Sequence, residues 1–406
     1  MNDSQVYRIK DIAIIGSGST PKSTNEAYYD GGTHPWLNTA DVQDCVITSP
    51  HNFITDLAIK ECNGLDYFPA NTVILAMYGA TLGNVGLLTF SSTLNQACCA
   101  MVLNKKALPK YLFYAIQSKK DYIISHGCGA TQNNLSQKQI SQFSFEFPNI
   151  KLQEQIVLYL DTTLQNIDSK ISLLGKKKLF YKQLIRSIIN ETITKGLDSN
   201  VVLKDSGVEG IGLIPEHWGC SRFKELAYTT KGKQTDYLDE QVKNAEIVLT
   251  VDTIRQEIPS FYNYAIIPDK KQHCTSEDIV IIWDGAGVGE FLKAKDGVLS
   301  STIAKITVNE RKILKDYLWL WRYNIEYVLK NIPTGMGVPH LNPTLLNAFM
   351  IPVPPISEQR DIIKSVNDKC DNLDSAIKLL DAQIERYKLL KRSLINEVIT
   401  GQRPIK

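Results

Sequence analysis

Two stretches decide the architecture: Tyr181-Lys-Gln-Leu-Ile-Arg-Ser-Ile-Ile-Asn-Glu-Thr-Ile-Thr194 and Tyr387-Lys-Leu-Leu-Lys-Arg-Ser-Leu-Ile-Asn-Glu-Val-Ile-Thr400. Ten of the fourteen positions are identical, at an offset of 206 residues. The same offset pairs Gly79-Ala80 with Gly285-Ala286, Gly83 with Gly289, Tyr111-Leu112 with Tyr317-Leu318, and Pro148 with Pro354. Near the start it drifts, so that Arg8-Ile-Lys-Asp-Ile-Ala13 matches Arg222-Phe-Lys-Glu-Leu-Ala227. Two helices alike by coincidence would not carry matching glycine turns with them. The chain is therefore read as two tandem copies of one unit.

Each copy has the same order. Apolar, glycine-punctuated runs such as Val73–Met77 and Ile279–Trp283 predict strands. Short helices are expected near Tyr111–Gln117 and Tyr317–Val328, then a polar loop, Gly127–Ser136 or Gly335–Asn342. Prolines (Pro148; Pro352, Pro354 and Pro355) then precede a long helix. In the first helix the apolar stripe is Ile156, Leu160, Leu164, Ile167, Ile171, Leu174, Tyr181, Ile185 and Ile188. In the second it is Ile363, Val366, Cys370, Leu373, Ile377, Leu380, Ile384, Tyr387, Leu394 and Val398, broken by Lys391. Steps of three and four sustained this long are a coiled-coil seam. Gly196 and Gly401 stand where left-handed caps would end the helices. At about 1.5 Å per residue each helix is roughly 60 Å long. Neither has enough neighbouring sequence to bury its stripe alone, so the two are expected to pair antiparallel, about a pseudo-twofold axis. The fold class is α+β: two globular domains of mixed β with short helices, over 1–150 and 198–353, alternate with long helices over 151–197 and 354–406. Leu197–Gly212, polar and glycine-rich, reads as a linker opening the second domain.

The 406 residues exceed one ordinary core, which suits two domains. Residues 67–104 carry no charge but are broken by Gly79, Gly83, Asn84, Gly86, Ser91, Ser92 and Asn95, so they predict buried strands rather than a membrane span. The first ten residues are polar and read as no signal peptide. Eight cysteines without a CxxC pair suit a reducing cytoplasm. The net charge of +2 permits local basic faces without announcing one.

Catalytic chemistry is missing from the pattern. Gly16-Ser-Gly-Ser-Thr-Pro21-Lys22-Ser23 approaches a phosphate-binding loop, but Pro21 stands where a glycine must offer an N–H. The glycines of Asp284-Gly-Ala-Gly-Val-Gly289 miss dinucleotide spacing and read as a strand turn. No amino-methyltransferase tetrapeptide occurs, and no acidic-x-Lys pair at nuclease spacing accompanies Asp269. His34, Cys45, His51 and Cys62 have the spacing of no zinc finger and are read as structural or surface residues, so the metal expectation is none.

What remains are polar, glycine-tolerant loops that can approach a groove, bearing amide, cationic and aromatic side chains able to contact phosphates and base edges. In the first copy the candidate DNA-binding residues are Thr20, Lys22, Trp36, Asn38, Tyr78, Thr81, Asn84, Thr131, Gln132, Asn133 and Asn134. In the second they are Lys231, Lys233, Gln234, Arg255, Trp283, His340 and Asn342. Equivalent loops differ: Gly129-Ala-Thr-Gln-Asn-Asn134 stands opposite Gly337-Val-Pro-His-Leu-Asn342. Matching scaffolds with differing loops would read two different sequences.

These residues carry a family resemblance. Lys204-Asp-Ser-Gly-Val-Glu-Gly-Ile-Gly-Leu-Ile-Pro-Glu-His-Trp218, Gly129-Ala-Thr-Gln-Asn-Asn-Leu-Ser136 leading to Gln153-Glu-Gln155, and Ile351-Pro-Val-Pro-Pro-Ile-Ser-Glu-Gln359 are similar to signatures of the specificity subunit of type I restriction–modification systems. Gly18-Ser-Thr-Pro21, Gly31-Gly32, Trp36 and Asp41 agree. Gly210 departs from it, standing where tryptophan is common, and the first domain lacks the His-Trp lead-in. The resemblance implies a non-catalytic, cytoplasmic subunit with two target recognition domains, binding a bipartite asymmetric site on double-stranded DNA. It implies two methyltransferase subunits and restriction–translocase subunits as partners, and no membrane. S-adenosylmethionine, ATP and Mg would belong to those partners, with no cofactor bound by this chain. The alternative is a coiled-coil scaffold that binds only protein.

Overall fold

The computed structural model describes residues 4–127, 134–259, 261–331 and 339–405. Thr131, Gln132 and Asn133 lie outside the described residues. The chain divides into two compact units, Met1–Gly175 with Leu380–Lys406, and Lys176–Leu379. Both long helices, Ile150–Lys195 and Ile356–Ile399, are therefore shared between the units.

In the first unit a five-stranded sheet runs Ala13–Ser17, Cys98–Leu103, Val73–Ala76, Val85–Leu88, Cys45–Ile47, all antiparallel except the last pair. Alternation along a strand sends successive side chains to opposite faces. Val73, Leu75, Cys99 and Met101 enter the core beneath helix Pro109–Ser118, while Ile74, Ala76, Cys98 and Ala100 build a second core on the other face. This use of both faces explains the uncharged run at 67–104. Among the described residues no helix is long and apolar enough to cross a membrane. A smaller sheet orders Phe53–Ile54, His34–Leu37 and Thr93–Leu94.

The second unit repeats the plan. Ala227–Lys231, Ile303–Val308, Ile279–Ile282 and Phe291–Lys293 form an antiparallel sheet, and a second sheet orders Tyr264–Ala265, Glu246–Leu249, Gly297–Leu299 and His273–Cys274. Helices Lys315–Leu320 and Arg322–Asn331 follow. Each domain is clasped where its chain enters and leaves: Gln5–Arg8 pairs with Ser144–Phe147, and Gly219–Arg222 with Met350–Val353. The stretch expected to be a linker is ordered in part, with Leu203–Asp205 and Leu213–Pro215 forming a hairpin.

The antiparallel helix pairing is visible inside each unit. In the first, Ile156, Leu160, Leu164 and Ile167, from the N-terminal half of one helix, share a core with Leu394, Ile395 and Val398 from the C-terminal end of the other. In the second, Ile185, Ile189 and Ile193 share a core with Ile362, Val366 and Cys370. Lys391, which interrupts the stripe, forms an ion pair with Asp168 across this seam. The buried positions differ from the heptad reading at the outer ends, where Ile189 and Ile362 are buried more deeply than Ile188 and Ile363. There the helices also pack on their own domain, so the buried face is wider than a strict seam, and an undistorted helix drifts from a 3.5 repeat. Gly196 and Gly401 have φ of +75° and +71° and end the helices as left-handed caps.

One buried amide locks each helix start to its domain. Gln359 Oε1 accepts from Leu314 N–H at 2.8 Å, and Nε2 donates to the carbonyls of Pro354 at 2.9 Å and Lys312 at 3.0 Å. Gln153 repeats this with Leu108 N–H at 2.9 Å and the Pro148 carbonyl at 2.8 Å. Both side chains are fully buried.

Candidate nucleic-acid interface

The glycine turns of the repeat shape the site. Gly79 and Gly83 have φ of +69° and +80°, and Gly285 and Gly289 have +91° and +82°, values that L side chains rarely adopt. The backbone bonds correspond: Gly83 N–H donates to Ala76 at 3.0 Å, as Gly289 N–H does to Ile282 at 2.8 Å. A second close approach explains the glycine-rich Gly16–Ser19 run. A Cβ on Gly18 would lie 1.6 Å from the Leu94 carbonyl oxygen, and one on Gly232 would lie 2.0 Å from that of Ser300. These glycines let the chain just beyond the first strand of each sheet pass against a neighbouring segment's backbone.

In each unit three segments meet at one end of the main sheet: the end of its first strand, the glycine turn, and the segment before a short helix. In the second unit Leu341 N–H donates to the Trp283 carbonyl at 2.8 Å and Gly285 N–H to that of Pro339 at 2.9 Å. Asp284, at the head of the turn, receives Lys231 Nζ at 2.7 Å on Oδ2 and His340 Nδ1 at 2.7 Å on Oδ1. Burial works to raise the Asp284 carboxyl, but the hydrogen bonds from His340 and Lys231 outweigh it and hold the group below the usual carboxylate range. The Lys231 ammonium also lies 5.8 Å from the centre of the Trp283 ring. Arg255 joins the same turn through an ion pair with Glu290. The structure thus brings Lys231, Arg255, Trp283 and His340 together. Lys233 and Gln234 are exposed just beyond Gly232, with Lys233 Nζ 3.5 Å from Asp269.

The first unit keeps the frame and changes the chemistry. Leu135 N–H donates to the Met77 carbonyl at 2.9 Å, the counterpart of the Leu341 bond. Here the strand end is joined by an amide instead of an ion pair, with Gln137 Nε2 donating to Ser17 Oγ at 2.7 Å. Tyr78 occupies the place of Asp284 and is exposed. Thr20 bonds Gln96, whose neighbour Ala97 accepts from Met77 N–H at 2.9 Å, so the Thr20 loop and the Tyr78 turn lie side by side. Lys22 and Asn134 are exposed, and Thr81 is half-buried, its hydroxyl donating to the Tyr78 carbonyl at 3.4 Å.

Other candidates are occupied internally. Trp36 is buried, and its Nε1 donates to the Ser19 carbonyl at 3.0 Å, so it shapes the Thr20 loop from beneath. Asn38 caps the turn Thr39–Asp41. Asn84 donates to the Val42 carbonyl at 3.0 Å and accepts from Lys120. Asn342 caps helix Pro343–Ala348 through Thr344 and Leu345 N–H. Amides in loops read equally well as caps or as base readers, and these three act as caps and struts. Sequence reasoning missed Asp284, Glu290, Ser17 and Gln137, because a DNA-facing loop directs attention to cations and amides. The signal available was the strand alignment, which sets Lys231 level with Ser17.

His34 bonds Tyr67 and Asp56, whereas His51 bonds Asp41. Among the described residues no group of three His, Cys, Asp or Glu side chains could hold a metal ion.

Known proteins resemble this chain along nearly its whole length. The chain is 23% identical to the type I restriction enzyme MjaIX specificity subunit of Methanocaldococcus jannaschii over 98% of its own length and 93% of that subunit. It is 29% identical to the MjaVIII specificity subunit of the same organism over 46% of its length, a match spanning 43% of that relative. A solved chain from a structural study of complex assembly and conformational transition of the type I R-M system shares the fold, with a TM-score of 0.70 at 15% identity and 98% of both chains covered. The sequence pattern of the type I restriction modification DNA specificity domain matches residues 1–176 and again 215–386, once in each copy of the repeat. With that domain matched twice over most of its length, the chain belongs to the family of type I restriction–modification DNA specificity subunits.

Proposed function

We propose that each unit reads one half of a bipartite, asymmetric site on double-stranded DNA, and that the chain presents this site to two methyltransferase subunits and to restriction–translocase subunits. The observation that carries the reading is the repeated three-segment frame with different side chains in it. Ser17, Tyr78 and Asn134 occupy the frame in the first unit, and Lys231, Asp284 and His340 in the second. A common frame gives a common mode of approach to a groove, and unlike side chains give unlike base preferences. The long helices, each belonging to both units, act as the ruler for the unread gap.

The chemistry belongs to the partners. Membership of the specificity-subunit family supports assigning S-adenosylmethionine, ATP and Mg to those other subunits. The experiment is a gel-shift selection from a random duplex library, with and without the methyltransferase partner. Enrichment of two short motifs at a fixed separation supports the reading. Partner binding with no sequence enrichment would instead make the chain a protein-only scaffold.

A further inference from the structure

The charged groups at the second unit's interface are organised by an acid, which is unexpected for a surface that must meet phosphates. Asp284 sits on the turn between the inner strand Ile279–Ile282 and the edge strand Phe291–Lys293, with its side chain 17% exposed. Each of its oxygens is taken by a different segment, Lys231 from the first strand and His340 from the segment before helix Pro343–Ala348. Its backbone forms a bridge with His340. The first unit joins the strand end to the segment before its short helix through a neutral hydrogen bond, from Gln137 to Ser17. A carboxylate here repels the DNA backbone and partly cancels Lys231. Its contribution at this place is therefore something other than affinity.

The geometry points to Asp284 as a positioning residue of the second unit, which holds Lys231 and His340 in register for reading the second half-site without contacting a base itself. This inference rests on the DNA-reading function proposed above. Neutralising Asp284 should separate two quantities that usually fall together. Discrimination needs the cation and the imidazole in fixed places, whereas non-specific binding needs only positive charge near phosphates. Removing the carboxylate loosens the first and strengthens the second.

The test uses the full chain in complex with its methyltransferase and compares wild type with Asp284→Asn, Lys231→Met and Asp284→Asn/Lys231→Met. Asparagine keeps the volume and the turn preference, and methionine keeps the apolar stem against Trp283. For Asp284→Asn, the preference for cognate over altered second half-sites should fall about tenfold or more, with the first half-site unchanged. Affinity for non-cognate duplex should hold or rise, and its salt dependence should steepen by up to about 0.9 in log–log slope as Lys231 gains a phosphate contact. The double variant should lose little discrimination beyond Lys231→Met alone and should lack the steeper salt slope. A switch to a different preferred base at one position would overturn the inference, since Asp284 would then be reading that base. Equal losses on cognate and non-cognate DNA would also overturn it, reducing the residue to a folding support. A wild-type complex with no preference at either half-site would refute the proposed function itself, a result distinguishable from both.

Discussion

Replacing Gln359 by leucine tests whether one amide locks the second long helix to its domain. The side chain is fully buried and makes three hydrogen bonds, at 2.8, 2.9 and 3.0 Å. Leucine keeps the approximate volume and a strong helix preference, so the cost is that of the lost partners. Leu314 N–H and the Pro354 carbonyl are left unsatisfied at about 1–3 kcal/mol each, while Lys312 is exposed and its carbonyl can turn to water. The new apolar surface returns about 1–2 kcal/mol. The net loss is on the order of 2–3 kcal/mol. Gln359→Glu should cost more, because a carboxylate accepts from Leu314 but offers no donor to the two carbonyls. Urea unfolding followed by tryptophan fluorescence reads this selectively, since Trp218, Trp283, Trp319 and Trp321 belong to the second unit and Trp36 alone to the first. With a slope of about 1–3 kcal/mol per M, the midpoint of the main transition should fall by about 1 M. A shift worth less than about 0.5 kcal/mol for both variants would refute the lock.

Three further outcomes are expected. The isolated chain, incubated with labelled S-adenosylmethionine and host DNA, should transfer no methyl group, and transfer by the pure chain would contradict the non-catalytic reading. A heptad added after Gly175, with a matching heptad after Leu379 to keep the seams in phase, lengthens each helix by about 10 Å. It should widen the unread gap by no more than roughly three base pairs, at about 34 Å per ten pairs, with both half-sites kept; an unchanged gap in an active complex would show that the helices are not the ruler. Residues 1–200 lack the 380–406 segment that completes the first unit, so they should form a homodimer in which a second first helix takes its place, reading a palindromic site with the methyltransferase. In that seam Lys178 stands at the position of Ile384, so Lys178→Ile should tighten the dimer; a monomer at micromolar concentration by sedimentation would refute the pairing.

The architecture was legible because its signals repeat. The 206-residue offset, the glycine pairs and the two stripes each report one element twice, and the folded units match them from Gly79 and Gly285 to Gln153 and Gln359. Helix faces were less legible where a second surface competes, as at Ile189 and Ile362, because seam and domain together bury a wider arc than a heptad implies. The interface was legible as loops and only partly as residues. Asn38, Asn84 and Asn342 have the composition of base readers, but each is hydrogen-bonded within its own domain. Asp284 was invisible for the opposite reason: its role is defined by Lys231 and His340, more than fifty residues away on either side.

The central claim is that two units read two half-sites independently. Exchanging residues 1–150 for the corresponding domain of a relative, and mapping methylated positions across a host genome that supplies the methyltransferase, tests it most directly. One half-site should change while the other half-site and the gap between them stay as they were. A map in which both half-sites change together would contradict it.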